Sequence, residues 1–327
     1  MTSRERILCA LNLQGEPDCV PFFDAVDREV QDAVMGGKDY DCFDFAQKVG
    51  FDAVLADFLP PLIARYEEKD GLNLYVDGLI KEEKDLALLQ LPDPEDPALY
   101  APAKEIIRRA HDLGLAVCSR IRLGACPAML SVGMEDFAYM LYDDRELFET
   151  IMETYATWTA KVVSHLNTLG VDFLWACDDL AFKTSTLVSP ETFREVFLPK
   201  MRIAADAIRL PWIFHSDGNL TPILEDLLTL GMNCLHPIEP GAMDIDYMKE
   251  TYGKKLCLMG NIDLHYTLTR GTPEETAEEV KQRLRTIAPG GGYIMASANS
   301  IPSYVKLENF QAMIDTVRQY RAYPIHI

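Results

Sequence analysis

Long hydrophobic runs are missing from this chain of 327 residues. No apolar stretch reaches the roughly 18 residues that a membrane span requires. The opening Met1-Thr2-Ser3-Arg4-Glu5-Arg6-Ile7-Leu8 lacks the apolar core of an export signal. Together these absences predict a cytoplasmic protein with no membrane partner. Basic charge is scarce too: 31 Lys and Arg face 51 Asp and Glu, a net charge of -20. Such a surface repels nucleic acid, anionic membranes and polyanionic substrates. The eight cysteines form no CxxC pair, which predicts reduced, mostly buried thiols. No GxGxxG follows the first apolar run, and no GxxxxGK[ST] or GxSxG occurs. Nucleotide binding of those kinds and acyl transfer therefore lose their motifs. No Lys ends an apolar run, so Schiff-base chemistry has no candidate.

What is present is alternation. Eight short apolar runs are separated by longer segments with helical spacing. They are Cys19–Phe23, Ala53–Ala56, Leu115–Cys118, Phe173–Cys177, Trp212–His215, Cys234–Ile238, Leu256–Met259 and Tyr293–Ala296. Near-continuous apolar runs suit strands of a parallel sheet buried on both faces. Ser189-Pro190-Glu191-Thr192 and Thr272-Pro273-Glu274-Glu275 each read as a capped helix start with Pro in the first turn. Residues 135–169 carry helical periodicity and stop at Gly170. Eight strands alternating with helices predict an α/β fold, a (β/α)8 TIM barrel, over a single domain spanning 1–327. A doubly wound open sheet is the competitor. Residues 58–114 are long for one crossover and read as an insertion near the mouth, with a small hairpin at Tyr75–Ile80 and a rigid loop at Leu91–Pro97. Pro289-Gly290-Gly291-Gly292 precedes the last run and reads as a tight turn rather than a phosphate cradle.

In such a barrel the chemistry sits where strands end. The run ends carry Asp24, Asp57, Arg120 and Arg122, then Cys177-Asp178-Asp179, His215-Ser216-Asp217, Glu239, Asn261 with Asp263, and Asn299. Several carboxylates around one cleft cannot all ionise cheaply. Either some are protonated or a cation sits among them, and His, Asp, Glu and Cys are the ligand types of zinc. The bland alternative is that Asp and Asn end strands because they favour turns and helix caps. His215 and Asp217, two apart, point the same way if the strand continues, as a ligand pair or as a metal-free His–Asp hydrogen bond. For Glu239, metal ligation, substrate binding and a salt bridge to Arg120 or Arg122 all stay open.

The chain resembles the uroporphyrinogen decarboxylase superfamily. The resemblance rests on Arg4-Glu5-Arg6-Ile7-Leu8, Glu16-Pro17-Asp18-Cys19-Val20-Pro21, His215-Ser216-Asp217-Gly218-Asn219, Ile238-Glu239-Pro240, Met259-Gly260-Asn261-Ile262-Asp263, Gly271-Thr272-Pro273-Glu274-Glu275, Ile301-Pro302 and Leu307-Glu308-Asn309. That superfamily contains cofactor-free decarboxylases and zinc-dependent methyltransferases that work with a corrinoid protein. The decarboxylases carry an arginine-rich motif where this chain has Phe22-Phe23-Asp24-Ala25-Val26-Asp27, and a His where it has Asn299. The thiol-methylating branch holds zinc through His-x-Cys and a later Cys; here these positions are His215-Ser216-Asp217 and Asn299. An oxygen-rich site suits activation of an oxygen centre.

The resemblance therefore implies the methyltransferase component of a corrinoid-dependent O-demethylase. It would take a methyl group from a methyl ether, a methoxylated aromatic foremost, and pass it to cobalamin carried by a partner corrinoid protein. Its zinc ligands would be His215, Asp217 and Glu239, with Cys177 as the substitute for Glu239. Asp178, Asp179 and Asn261 would act on the reacting groups. Phe22, Phe23, Asp24, Asp57, Phe58, Arg122 and Asn299 would hold the small-molecule donor. Dimers are common in the superfamily, which leaves a homodimer open. Two other classes compete: a metal-free lyase or decarboxylase gripping a small acid through Arg120 or Arg122, and a non-catalytic binding barrel.

Overall fold

Seven of the eight apolar runs form hydrogen-bonded parallel strands. A computed structural model describes residues 1–69 and 72–327. The strands are β1 (Ala53–Leu55), β2 (Ala116–Ile121), β3 (Phe173–Cys177), β4 (Trp212–His215), β5 (Cys234–His236), β6 (Cys257–Ile262) and β7 (Tyr293–Ser297). They lie side by side in chain order, and every neighbouring pair is parallel. Parallel neighbours need crossovers, and helices supply them. Helices on the outside leave the strands dry, so β4, β6 and β7 are buried along their whole length. The result is an α/β fold with a curled parallel sheet.

The first run differs from expectation. It forms isolated bridges instead of a ladder strand, with Phe22 parallel to Met295 of β7 and Val26 parallel to Ile301. Met295 N donates to Pro21 O at 2.8 Å and Phe23 N to Met295 O at 3.2 Å. On the other side Asp52 N donates to Phe22 O at 2.8 Å, just before β1. The run thus links the two edges of the sheet. Pro21 has no N–H, which removes one rung and shortens the ladder.

The insertion is built as an antiparallel hairpin, Ala64–Lys69 with Leu72–Gly78, starting earlier than the sequence suggests. A helix, Pro97–Asp112, follows and is capped by Asp96. Residues 135–169 are two helices, Met134–Asp143 and Arg145–Leu169. The break falls at Asp144, whose carboxylate caps the second helix through Leu147 N. Ser189 and Thr272 cap helices as their sequences predict, Thr272 in a capping box with Glu275. Gly290, Gly291 and Gly292 all have positive φ, and a Cβ on Gly291 would lie 2.0 Å from Gly15 O, so the run is a turn. Among the described residues no helix is long and apolar enough to cross a membrane. All eight cysteines are free, and five are buried.

Two buried aspartates pin the strand starts, opposite the site. Asp52, 1% exposed and one residue before β1, pairs with Arg6 of the helix Ser3–Leu11. It also pairs with Arg321 at 2.9 Å and accepts from Phe22 N at 2.8 Å. Asp172, one residue before β3, pairs with Arg4, lies 2.9 Å from His111 Nε2 and accepts from Val117 N at 2.8 Å. One carboxylate therefore ties the first helix, the first run and the C-terminal segment together. Asp52→Ala leaves Arg321 without a carboxylate and Arg6 with Asp18 alone, and breaking a buried pair in this way costs about 3–5 kcal/mol. Urea unfolding at neutral pH should show that loss. A loss below about 1 kcal/mol would remove Asp52 as the pin.

Candidate metal centre

The strand register decides which side chains meet. Paired residues on adjacent parallel strands point to the same face. Cys177 pairs with His215, and His215 with His236, so three side chains form a row across the ends of β3, β4 and β5. The loops beyond bring Asp179 and Asp217 onto the outer end of this row. His215 Nε2 lies 3.5 Å from Asp179 Oδ1 and 3.8 Å from Asp217 Oδ1. All three ligand atoms fall within 4.8 Å of one another, the one such group among the described residues. His215 is 8% exposed, while Asp179 reaches solvent.

Hydrogen bonds fix the cluster. Asn299 Nδ2 donates to Asp217 Oδ2 at 2.6 Å. Asp217 Oδ1 is then left buried with no partner. The Asp217 amide donates to Asp179 Oδ1 at 3.1 Å. Gly218, with φ of 85°, turns the chain where a Cβ would meet the backbone of Ala181 and Phe182 at 2.7 Å. Burial pushes the Asp217 carboxyl up to about 6 against the pull of His215, and repulsion from Asp179 and Glu239 adds to the rise. For Asp179 burial again opposes ionisation, but the nearby His215 ring, the hydrogen bond from the Asp217 amide and Arg122 outweigh it and hold the carboxyl below its ordinary value.

These residues fit a divalent ion. A tetrahedral zinc with bonds of about 2.0 Å separates its ligand atoms by roughly 3.3 Å. The observed 3.5 and 3.8 Å are close to that. An orphaned carboxylate oxygen facing an imidazole and a second carboxylate is an arrangement that a cation would complete.

The group that converges differs from the expected ligand set. His215 and Asp217 converge, but Glu239 does not join them; its Oε2 accepts from Gly218 N at 2.9 Å. Asp179 takes that place. Cys177 stands beside His215, yet its thiol points to Trp175 O at 3.6 Å, and burial pushes its pKa up. Asp178 does not face the cleft. It is 0% exposed, and its two oxygens accept from Leu123 N and Cys126 N at the start of the helix Ala125–Val132. Asn261 is 1% exposed and donates to Ile238 O at 2.6 Å, away from the cluster.

The donor-binding candidates also divide. A cavity of about 220 Å³ beside the cluster is lined by Arg122, Trp175, Cys177, Asp179, His215 and Asn299, among others. Asn299 is shared with a second cavity of about 500 Å³ that includes Asp217, Glu239, Asp263 and Tyr304. Arg122 and Asn299 therefore stand where a ligand would reach them. Phe22 and Phe23 do not, because they are 0% and 2% exposed and pack edge-on against Phe51. Phe58 stacks on Tyr100 at 5.4 Å, outside both cavities. Asp24 is a clamp: its oxygens accept from Ala25 N at 2.9 Å and Ser297 N at 2.7 Å. Asp57 is engaged by Arg120, Nε to Oδ1 at 3.0 Å. A larger hollow of about 550 Å³ lies against Pro92 and Trp158 on the outer side of the helix Arg145–Leu169 and holds no such cluster.

Sequence reasoning passes over His236. It is 0% exposed, and its Nδ1 lies 2.7 Å from His215 Nδ1. Burial and the neighbouring His215 push its pKa well below the ordinary imidazole value. The signal was there, as His215 ends one apolar run and His236 lies inside the next.

Residues 65–320 match the family described as uroporphyrinogen decarboxylase (URO-D). The chain belongs to the URO-D family. A curated relative, the methylated-thiol–coenzyme M methyltransferase of Methanosarcina mazei, is 25% identical over 213 residues, 65% of this chain. The match spans 56% of that relative's length. A solved structure of a methyltransferase from Methanosarcina mazei superposes with a TM-score of 0.77 and 20% identity, covering 98% of this chain and 99% of that one. At that identity the superposition shows the URO-D fold, not the reaction.

The placement of Asp178 has a measurable consequence. Each buried amide left without an acceptor costs about 1–3 kcal/mol. Asp178→Ala should therefore lower stability by about 2–4 kcal/mol in denaturant unfolding. Unchanged stability would return Asp178 to the list of free acids in the cleft.

Proposed function

We propose that this chain removes a methyl group from a methyl ether, using zinc held by Asp179, His215 and Asp217, and delivers it to cob(I)alamin on a separate corrinoid protein. One observation carries this reading: three ligand atoms converge at the sheet's C-terminal rim, and Asp217 Oδ1 is kept free there by Asn299. Membership of the URO-D family and the similarity to a methyltransferase acting on methylated thiols support transfer of a methyl group. The donor set separates the present site from thiol chemistry. It is one nitrogen and two carboxylate oxygens with no sulfur, which suits a hard oxygen leaving group. In the same reading the bridges made by Pro21–Phe23 are the eighth stave of a (β/α)8 barrel, with 58–114 as its insertion.

Bound zinc would supply Lewis acidity at the ether oxygen as the C–O bond breaks and leaves its electron pair there. The chain's own residues do the rest. Asn299 and the Asp217 amide hold the two carboxylates at their spacing, so no reorganisation is needed at the moment of reaction. Trp175 and Ala25 give the 220 Å³ cavity its apolar wall, and a methoxylated ring would rest there rather than on Phe22 or Phe58. Arg122 faces the same cavity and would meet an anionic substituent.

A metal-free lyase acting on a small acid is the second reading. Arg122 favours it, because its side-chain partner is the Cys126 thiol, with no carboxylate in ion-pair contact among the described residues. Metal analysis separates the two. About one zinc per chain is expected, lost in His215→Ala, Asp179→Ala and Asp217→Ala but retained in Glu239→Gln. Incubation with a reduced corrinoid protein and 2-methoxyphenol should produce methylcobalamin absorbance, and the three zinc-free variants should not. A folded protein that takes up no zinc, or a wide panel of methyl ethers giving no methylcobalamin, would overturn the reading.

A further inference from the structure

The contact between the two histidines has a consequence for how the cluster works. His215 presents Nε2 to the carboxylates and Nδ1 to His236. At 2.7 Å two imidazole nitrogens share one proton, since two lone pairs or two N–H groups would repel. One ring must donate and the other accept. A histidine that ligates through Nε2 has its lone pair there, so its proton lies on Nδ1. Histidine ligands of metals are usually held by a carboxylate, a backbone carbonyl or water acting on the second nitrogen. Here the group beside the second nitrogen is another imidazole.

The surroundings of His236 point the same way. It ends β5 directly beside His215, with the two Cα atoms in register, so the sheet itself sets their approach. Its ring is held edge-on against Trp175, at 4.9 Å between centroids and 88° between planes. Its Nε2 is buried without a hydrogen-bond partner. With Nδ1 of His236 turned to His215, Nε2 is the nitrogen left to carry its proton. The separations of His215 Nε2 from Asp179 and Asp217, 3.5 and 3.8 Å, are too long for strong hydrogen bonds. That nitrogen is not committed as a donor.

We propose that His236 is a positioning residue for the metal centre: it accepts the His215 Nδ1–H proton and so keeps the Nε2 lone pair of His215 directed at the ion. The inference rests on the zinc reading above. Its chemical result is specific. A carboxylate in this place would raise the basicity of His215 and soften the ion's charge. A neutral ring orients His215 equally well but donates less, which leaves more Lewis acidity for the substrate oxygen.

The test is zinc affinity, read by competition with a chromogenic chelator, in the full chain and two variants. His236→Leu removes the acceptor and should weaken zinc about 10–100-fold. His236→Asn keeps an acceptor near the Nδ1 position and should restore affinity to within about threefold, a rescue that packing alone does not explain. Nitrogen-15 NMR of the zinc-loaded wild-type protein should show the proton of His215 on Nδ1 and that of His236 on Nε2. A folded His236→Leu protein that holds zinc as tightly as wild type overturns the inference alone, and so does a proton on His236 Nδ1 in the loaded wild type. A wild-type protein that binds no zinc overturns the underlying reading, and this inference with it.

Discussion

The site depends on an electrostatic constraint. Two carboxylates, Asp179 and Asp217, are held within reach of one imidazole where strands β3 and β4 end. Bringing like charges together under partial burial is unfavourable unless something offsets it. The chain meets this in pieces. Asn299 takes one oxygen of Asp217, the Asp217 amide takes an oxygen of Asp179, and His215 stands between the two carboxylates. One oxygen, Asp217 Oδ1, is left without a partner. That incompleteness is what makes the cluster a candidate cation site and not merely a polar rim.

The rest of the sheet serves this arrangement by being rigid. Aspartates at the opposite end, Asp52 and Asp172, join the first helix and the C-terminal segment to the strand starts through arginines and backbone amides. Asp24 and Asp178 do similar work nearer the site: the first ties the first run to β7, and the second caps a helix. Four buried carboxylates are thus spent on architecture, two of them beside the cleft. The acids that stay partly open, Asp179 and Asp217, are the ones that meet His215.

This explains which parts of the reading were legible. Burial on both faces of a parallel sheet leaves near-continuous apolar runs, so β1 to β7 could be seen directly in the sequence. The first run could be seen as a run but not as a set of isolated bridges. The row Cys177, His215, His236 follows from register, which a single sequence does not state. Asp178 and Asp179 are adjacent and chemically identical. Only their direction separates them, inward to the amides of Leu123 and Cys126 or outward to His215. Glu239 sits in a strand-end motif like the others, yet Gly218 N claims it. Phe22, Phe23 and Phe58 are aromatic residues near strand ends, but neighbouring aromatic rings, Phe51 for the first two and Tyr100 for the third, take them into the packing rather than toward a ligand.

Composition and pattern by themselves settled the alternation of strands and helices, the parallel sheet and the rim where polar residues gather. Those properties depend on local periodicity and burial, which each segment carries in its own residues. Tertiary structure alone decided that Asp179 and not Glu239 joins His215 and Asp217, and that His236 stands behind His215. Both convergences are matters of separations of 2.7 to 3.8 Å between side chains on adjacent strands and the loops beyond them. Distances of that kind arise only when strands pair in one register and the loops beyond them close over one another.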